Sequence, residues 1–342
     1  MKSRLRVIRK SNMTLNPKYL RIKKASGNNP RRNLALESVL FQHLSDDELI
    51  LYLWQNEPTV VIGRNQNPFK ECDLESIRKD GVNLVRRMSG GGAVYHDPGN
   101  LCFTFLAYDP VYDEKRQTKV IQRALELAGI SSEFSGRNDL LSSGRKFSGN
   151  AYYHHAGKSY HHGTLLVNSE LTRLSDYLKP EPEKLSLKGV DSVRSRVMNL
   201  TEVNPDLTVS LLEEYLTESF AKEYGLVPET VNEDYDEETA LAEKKFSDLS
   251  WIMGNFGTED CSIRKRFPWG LVRISYAKHI GTLEKVRIDT DAMETGWVEE
   301  LEQNLSGITL NKDAVLTAIR NTANFDAKED LCAWITDKET IL

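Results

Sequence analysis

Three things are scarce in this sequence, and each scarcity removes a class of protein. Cysteine occurs only at positions 72, 102, 261 and 332, widely spaced and without a CxxC pair. That pattern excludes a disulfide scaffold and a cysteine-rich zinc site, and it suits a reducing compartment. No apolar run approaches the ~20 residues a membrane-spanning helix needs, so no membrane partner is expected. Acidic side chains are missing from the whole stretch before Glu37, which is rich in Lys and Arg. The chain overall is acidic, with 50 Asp and Glu against 45 Lys and Arg and a net charge of −5. A basic, acid-free start can be a targeting peptide, a nucleic-acid arm or a solvated extension. Met1–Arg32 lacks the apolar segment of a secretory signal, and Asn16-Pro17 and Asn28-Asn29-Pro30 interrupt any amphipathic presequence helix. A plain basic extension over residues 1–32 is therefore expected. The expected location is cytoplasmic, or mitochondrial if a eukaryotic cell reads that start as a presequence.

What remains is 39% hydrophobic and 28% charged, which separates it from disordered and collagen-like chains. At 342 residues it exceeds the ~250–300 at which single cores stop growing, so more than one domain is expected. The pattern is mixed α and β. Asn33 is placed to cap a helix over Leu34–Leu44. Leu49–Trp54 and Thr59–Ile62 read as strands joined by the turn Asn56-Glu57-Pro58, followed by strands at Val82–Arg86, Cys102–Tyr108 and His162–Asn168. Lys119–Ala128 has helical spacing ending at Gly129, and Val209–Tyr224 is an amphipathic helix ending at Gly225. Glu229–Glu238 reads as an acidic, solvated loop. After a linker near Gly257–Ser262 the pattern restarts. Strands over Gly270–Ala277 and Leu283–Ile288 and helices over Lys312–Asn321 and Lys328–Ile335 suggest a small α+β domain.

The sharpest feature is Arg86-Arg87-Met88-Ser89-Gly90-Gly91-Gly92-Ala93-Val94-Tyr95-His96-Asp97. Three glycines after a strand allow close backbone approach and converging N–H groups, an anion nest, and two arginines add guanidinium donors for phosphate. It is neither a Walker loop nor a GxGxxG fingerprint. The plainer alternative is a flexible hairpin tip beside surface arginines. A second cluster, Gly136–Leu140 and Gly144–Ala151, carries Asp139, a hard oxygen ligand for Mg²⁺, and Lys146, a compact cation for a phosphate or carboxylate oxygen. The pairs His154-His155 and His161-His162 point to opposite faces of a strand, so zinc chelation is not expected. Together these segments argue for one nucleotide site.

These residues, together with Asn33–Glu37, Val61–Arg64, His161–Leu166 and Ser192–Val197, occur in the same order as in lipoate–protein ligase A, and the chain resembles that family from Asn33 to Leu342. The resemblance implies an α+β, mixed-sheet ligase domain of the biotin/lipoate ligase fold over 33–257 and a small α+β C-terminal accessory domain over 258–342. It implies ATP-dependent activation of lipoate to lipoyl-AMP, then transfer of the lipoyl group to a lysine of an acceptor. Acceptors would be apo lipoyl domains of 2-oxoacid dehydrogenase acyltransferase subunits, glycine cleavage H protein, or both. By resemblance Arg87, Gly92, Ala93, Val94, Tyr95 and Lys146 hold ATP, and Lys146 is the catalytic cation. Arg86, Ser89, His162 and Lys146 contact lipoate, and Asp139 holds Mg²⁺. Trp54, Val61 and Val94 are the expected apolar walls for the acyl chain. The main rival is an acyltransferase of the same fold, moving lipoyl or octanoyl groups from a carrier protein through a cysteine thioester. Cys102, the cysteine near the glycine segment, lies in an apolar run that favours an inert thiol. A nucleic-acid binder would leave Lys146, Asp139 and the triple glycine without a role.

Overall fold

Leu49-Ile50-Leu51-Tyr52-Leu53-Trp54 is apolar at every position, a pattern a strand tolerates only when both its faces are covered. A computed structural model of the chain describes residues 15–135, 138–179, 197–232, 235–254, 261–279 and 281–337. The first strands are β1 (Tyr19–Lys24), β2 (Glu48–Trp54), β3 (Thr59–Ile62), β4 (Asn83–Arg86), β5 (Val94–His96) and β6 (Asn100–Tyr108). Then come β7 (Glu133–Ser135), β8 (Asp139–Ser142), β9 (Arg145–His155), β10 (Lys158–Leu166) and β11 (Glu229–Thr230). Eight of these form one mixed sheet in the order β11-β1-β2-β6-β10-β9-β8-β7, with β1 parallel to β2 and β11 and the other pairs antiparallel. The period of two sorts β2 cleanly. Leu49, Leu51 and Leu53 join Phe103, Phe105 and the helices over Glu114–Leu127 and Val209–Tyr224 on one face. Ile50, Tyr52 and Trp54 join Leu34, Leu40, Cys102 and Tyr160 on the other.

That second face is covered by α1 (Pro30–Gln42) and by the helix Asp236–Ser247. The α1 helix starts earlier than its capping pattern suggested. Asn29, not Asn33, is the cap: its side-chain oxygen accepts from the N–H groups of Arg31 and Arg32, with Pro30 in the first turn. The N-terminal expectation is corrected likewise. Tyr19–Lys24 is a sheet strand with Leu20 and Ile22 in the core, so the basic segment is not a solvated extension from there on, while residues 1–14 lie outside those described. The acidic stretch is not all loop either, because Asp236, Glu237 and Glu238 form the first turn of a helix, where negative charge complements its dipole.

β2 and β3 do not form a hairpin. β3 pairs with β4 and β5 in a separate three-stranded sheet, backed by Ile77, Tyr95, Cys72 and Tyr177. Beyond residue 260 the small domain has three strands rather than two: β12 (Cys261–Phe267), β13 (Gly270–His279) and β14 (Thr282–Thr290). Val272, Ile274 and Tyr276 point inward as expected, against helices over Val298–Leu305, Lys312–Asn321 and Lys328–Asp337. No helix among the described residues is long and apolar enough to cross a membrane.

Candidate active site

The two sheets and the β8–β9 hairpin enclose a cavity of about 170 Å³. Trp54, Val61, Val94, Leu34 and Cys102 make its apolar wall, and Arg87, His96, Asn138, Lys146, Asn150 and His162 bring polar atoms to it. Gly91, Gly92 and Ala93 complete the loop side. Strand alternation decides who reaches it. On β5, Val94 and His96 line the cavity, whereas Tyr95 between them packs beside Tyr177 in the small satellite core. Tyr95 is therefore not placed to touch a ligand in this cavity.

Arg86 and Arg87 part in the same way. Arg87 lines the cavity and grips the glycine loop from inside: its Nε donates to Ser89 Oγ at 3.0 Å, and Nη2 donates to the carbonyls of Gly90 and Gly92 at 2.6 and 2.8 Å. Burial pushes its guanidinium down to about 10, which leaves it charged near neutrality. Arg86, expected to contact lipoate, faces away. Its guanidinium is buried and reaches the carbonyl oxygens of Gly63, Arg64, Gln66, Trp251 and Ile252 at 2.7–3.0 Å. It is a cross-link between the loop after β3 and the helix Leu249–Met253, and it has no place on the cavity wall.

Ser89 and His162 belong to a buried chain that periodicity did not reveal. Glu37 Oε1, on α1, accepts from Thr104 Oγ1 at 2.7 Å and lies 2.9 Å from His162 Nδ1. His162 Nε2 lies 2.7 Å from Ser89 Oγ. The carboxylate, imidazole and hydroxyl follow the order of a hydrolytic triad, but Ser89 is fully buried and absent from the cavity wall, so it has no access to a substrate carbonyl. The chain instead fixes His162 and the glycine loop relative to one another. His161, the neighbour in sequence, points to the opposite face among Phe103, Phe105 and Tyr152.

Lys146 sits at the mouth, about one-third exposed, with its Nζ 2.7 Å from Asp139 Oδ1 across the β8–β9 pair. Its side chain lies over Gly149, where a Cβ would stand 3.2 Å from Nζ, so the missing side chain keeps the ammonium's path open. Met198 N donates to the Lys146 carbonyl at 2.8 Å and anchors the strand there. Residues Gly136 and Arg137 and most of Ser192–Val197 lie outside the described residues. Among the described residues no group of three or more His, Cys, Asp or Glu gathers as a metal cage. One carboxylate beside the mouth is nevertheless the donor set a phosphate-borne Mg²⁺ uses, since that ion keeps several waters and takes one or two carboxylates.

The glycine loop meets the small domain on its outer side, which local patterns could not foretell. Gly91 (φ 90°) donates its N–H to the carbonyl of Ala292 at 3.0 Å, so this donor does not face an anion as the nest reading expected. A Cβ on Gly90 would fall 2.4 Å from that same oxygen. Asn67 N donates to Asp289 Oδ1 and Thr290 N to the Asn65 carbonyl, while Arg64 pairs with Glu299. Met293 Sδ lies 3.9 Å from Asn138 Nδ2, at the cavity's rim. Cys102 lies in the wall, 3.5 Å from His96 Nδ1, and burial holds its thiol well above the ordinary range.

Two family models match the chain. The family model "Lipoyl protein ligase A/B catalytic domain" matches residues 29–221, and "Bacterial lipoate protein ligase C-terminus" matches 260–335. The chain is similar to P. falciparum LipL1, solved in complex with lipoate, at 27% identity and TM-score 0.81, covering 94% of this chain and 99% of that one. It is also similar to the archaeal bipartite lipoate protein ligase of Thermoplasma acidophilum, described with its E2 lipoyl domain, at 27% identity and TM-score 0.62, covering 72% and 100%. A lipoate-protein ligase A bound with ATP matches at 25% identity and TM-score 0.60, covering 71% and 100%. By its catalytic segment the chain belongs to the lipoyl protein ligase A/B family, in the form that carries the lipoate protein ligase C-terminal domain.

Proposed function

We propose that this cavity condenses lipoate with ATP to lipoyl-AMP and then passes the lipoyl group to a lysine of a lipoyl-domain acceptor. The observation that carries the reading is the placement of Lys146, a partly exposed cation at the mouth of a chamber whose wall includes Leu34, Trp54, Val61 and Val94. A fatty or dithiolane chain enters the chamber, and its carboxylate stays at the ammonium. Carboxylate attack on the α-phosphate brings two anions together, and Lys146, with three N–H donors, neutralises both as they approach. Pyrophosphate leaves. The adenylate is a mixed anhydride that water hydrolyses, and the apolar wall of buried Trp54 and Val61 with partly buried Val94 excludes water from the acyl end. A neutral acceptor lysine then displaces AMP, the C–N bond forms, and the ammonium proton is lost to solvent.

Asp139 is the residue we assign to Mg²⁺, whose charge would shield the phosphates during this step. Arg87 and Gly92–Val94 are assigned to the nucleotide side and His162 to the acyl side. E2-type lipoyl domains are the favoured acceptors, in keeping with the relative described with one, and glycine cleavage H protein is the further candidate. The thioester route needs an ionised thiol, and the raised pKa of Cys102 opposes it.

The test is Lys146→Ala, assayed for pyrophosphate release with ATP, Mg²⁺ and lipoate and for mass gain of an apo lipoyl domain. Loss of a preorganised charge lowers rates about 10²–10³-fold. A folded variant releasing pyrophosphate at the wild-type rate refutes the assignment. Mass gain from a preloaded carrier, with none from ATP and free lipoate, assigns the protein to the acyltransferase class instead.

A further inference from the structure

One histidine of the cavity lining has a ring nitrogen with no hydrogen-bond partner among the described residues. His96 is 4% exposed and lines the chamber beside Trp54 and Cys102. Its tautomer follows from its neighbours. Asn33 Nδ2 donates to the Gln55 carbonyl at 2.7 Å and to Asn56 Oδ1 at 3.1 Å. That turns the Asn56 amide nitrogen toward His96, with Nδ2 3.1 Å from Nδ1. An amide nitrogen only donates, so Nδ1 accepts and the ring proton resides on Nε2. Burial, reinforced by the positive field of Arg87 and by His162, pushes the imidazole down to about 3, so it stays neutral and keeps this tautomer. Nε2 finds no partner among the described residues. A buried N–H left unmade is costly, so this one takes its partner from what fills the chamber, water in the free protein or a ligand atom that displaces it.

The exposure gradient says which part of a ligand arrives there. Lys146 at the mouth is one-third exposed and takes a carboxylate, whereas His96 and Cys102 are almost wholly buried and meet the far end of the chain. An all-carbon tail has no acceptor to offer. A dithiolane ring ends in polarisable sulfur, a weak acceptor. We propose that His96 is the acyl-chain selector of this site, its Nε2–H donating to a ring sulfur of lipoate and disfavouring chains that end in carbon. This rests on the lipoate reading above and adds the discrimination against octanoate.

The experiment measures affinity of the full-length protein, without ATP, for three acids: lipoate, octanoate and 5-cyclopentylpentanoate, which copies the ring in carbon. Lipoate should bind about ten-fold more tightly than the cyclopentyl acid, the factor set by one buried donor gained or lost. His96→Phe should bring the two to near parity, and His96→Gln, which keeps an N–H, should restore part of the preference. Equal affinity of the wild-type protein for the two ring acids overturns the proposal without any variant having to fold. So does an unchanged preference in a folded His96→Phe. Pyrophosphate release with ATP is measured in parallel and reads the ligase assignment separately. Selective binding without pyrophosphate release sustains the selector and refutes the ligase chemistry. Release with no ring preference does the reverse, and no binding of any acid refutes both.

Discussion

Arg86 separates a substrate contact from a structural one. Its guanidinium reaches five backbone carbonyls, those of Gly63, Arg64 and Gln66 on one side and Trp251 and Ile252 on the other. Arg86→Met keeps much of the length and removes every donor. Hydrogen bonds to a charged group contribute about 1.5–3 kcal/mol each, but five at one site do not add, and the substitution also removes a buried charge whose pKa burial has already lowered to about 10. Breaking a buried charged network typically costs ~3–5 kcal/mol, and that is the loss expected here. Against a typical total of 5–15 kcal/mol this is large, and it should appear as a lower urea midpoint at unchanged slope. Lipoate affinity of the protein that remains folded should be unaltered. A variant with less than ~1 kcal/mol of destabilisation and a ten-fold weaker lipoate affinity refutes the reasoning and returns Arg86 to the binding site.

Three further outcomes follow from other parts of the molecule. His96 and His161 are both held neutral, near 3, by burial, whereas the unfolded chain protonates them below about 6.5. Stability is then fully present above pH 6.5 and falls toward pH 3, at up to ~1.4 kcal/mol per pH unit for each, partly offset at the acid end by Asp289 and Glu302, whose carboxyls burial raises. Denaturation midpoints that stay level from pH 7 to 5 contradict this. Cys102→Ala should cost on the order of 1 kcal/mol and leave ATP-dependent ligation intact, and a folded variant that forms lipoyl-AMP but cannot modify the acceptor would point to a thioester step. Gly90→Ala places a Cβ against the Ala292 carbonyl, so amide exchange at 289–293 should accelerate while the large sheet stays protected. Unchanged exchange there removes the close contact from consideration.

Much of this arrangement was legible residue by residue, and the failures have physical causes. The helix Val209–Tyr224, ending on left-handed Gly225, and the inward alternation of β13 depend on local periodicity and capping, which the sequence carries directly. Trp54, Val61, Val94, Arg87 and Lys146 do meet at one cavity. Motif membership alone puts Arg86 and Tyr95 at the site, yet neighbours on a strand point to opposite faces, so each stands next to a residue that lines the cavity while it does not. β12 was hidden because Arg264, Lys265 and Arg266 interrupt its pattern, as charged residues commonly do on an edge strand. Glu37 and His96 were in view within their motifs but had no visible partner. Their roles depend on Thr104, His162, Asn56 and Asn33, and on strand order that no local pattern encodes.

The glycine loop is held by two unequal grips, and their inequality bears on how the site can work. From inside, Arg87 binds the Gly90 and Gly92 carbonyls, and Ser89 ties the loop through His162 to Glu37. These are charge-assisted contacts in a buried setting, and breaking them would strand a guanidinium. From outside, the loop itself offers the small domain one backbone bond, Gly91 to Ala292, together with van der Waals contact at Met293. A single neutral hydrogen bond of this kind contributes about 1 kcal/mol. Losing the outer grip therefore leaves the loop's conformation to the inner one, and the Gly91 N–H becomes free for another acceptor. The outer contact is the weaker of the two, and the loop's shape depends chiefly on Arg87 and on the chain from Ser89 through His162 to Glu37.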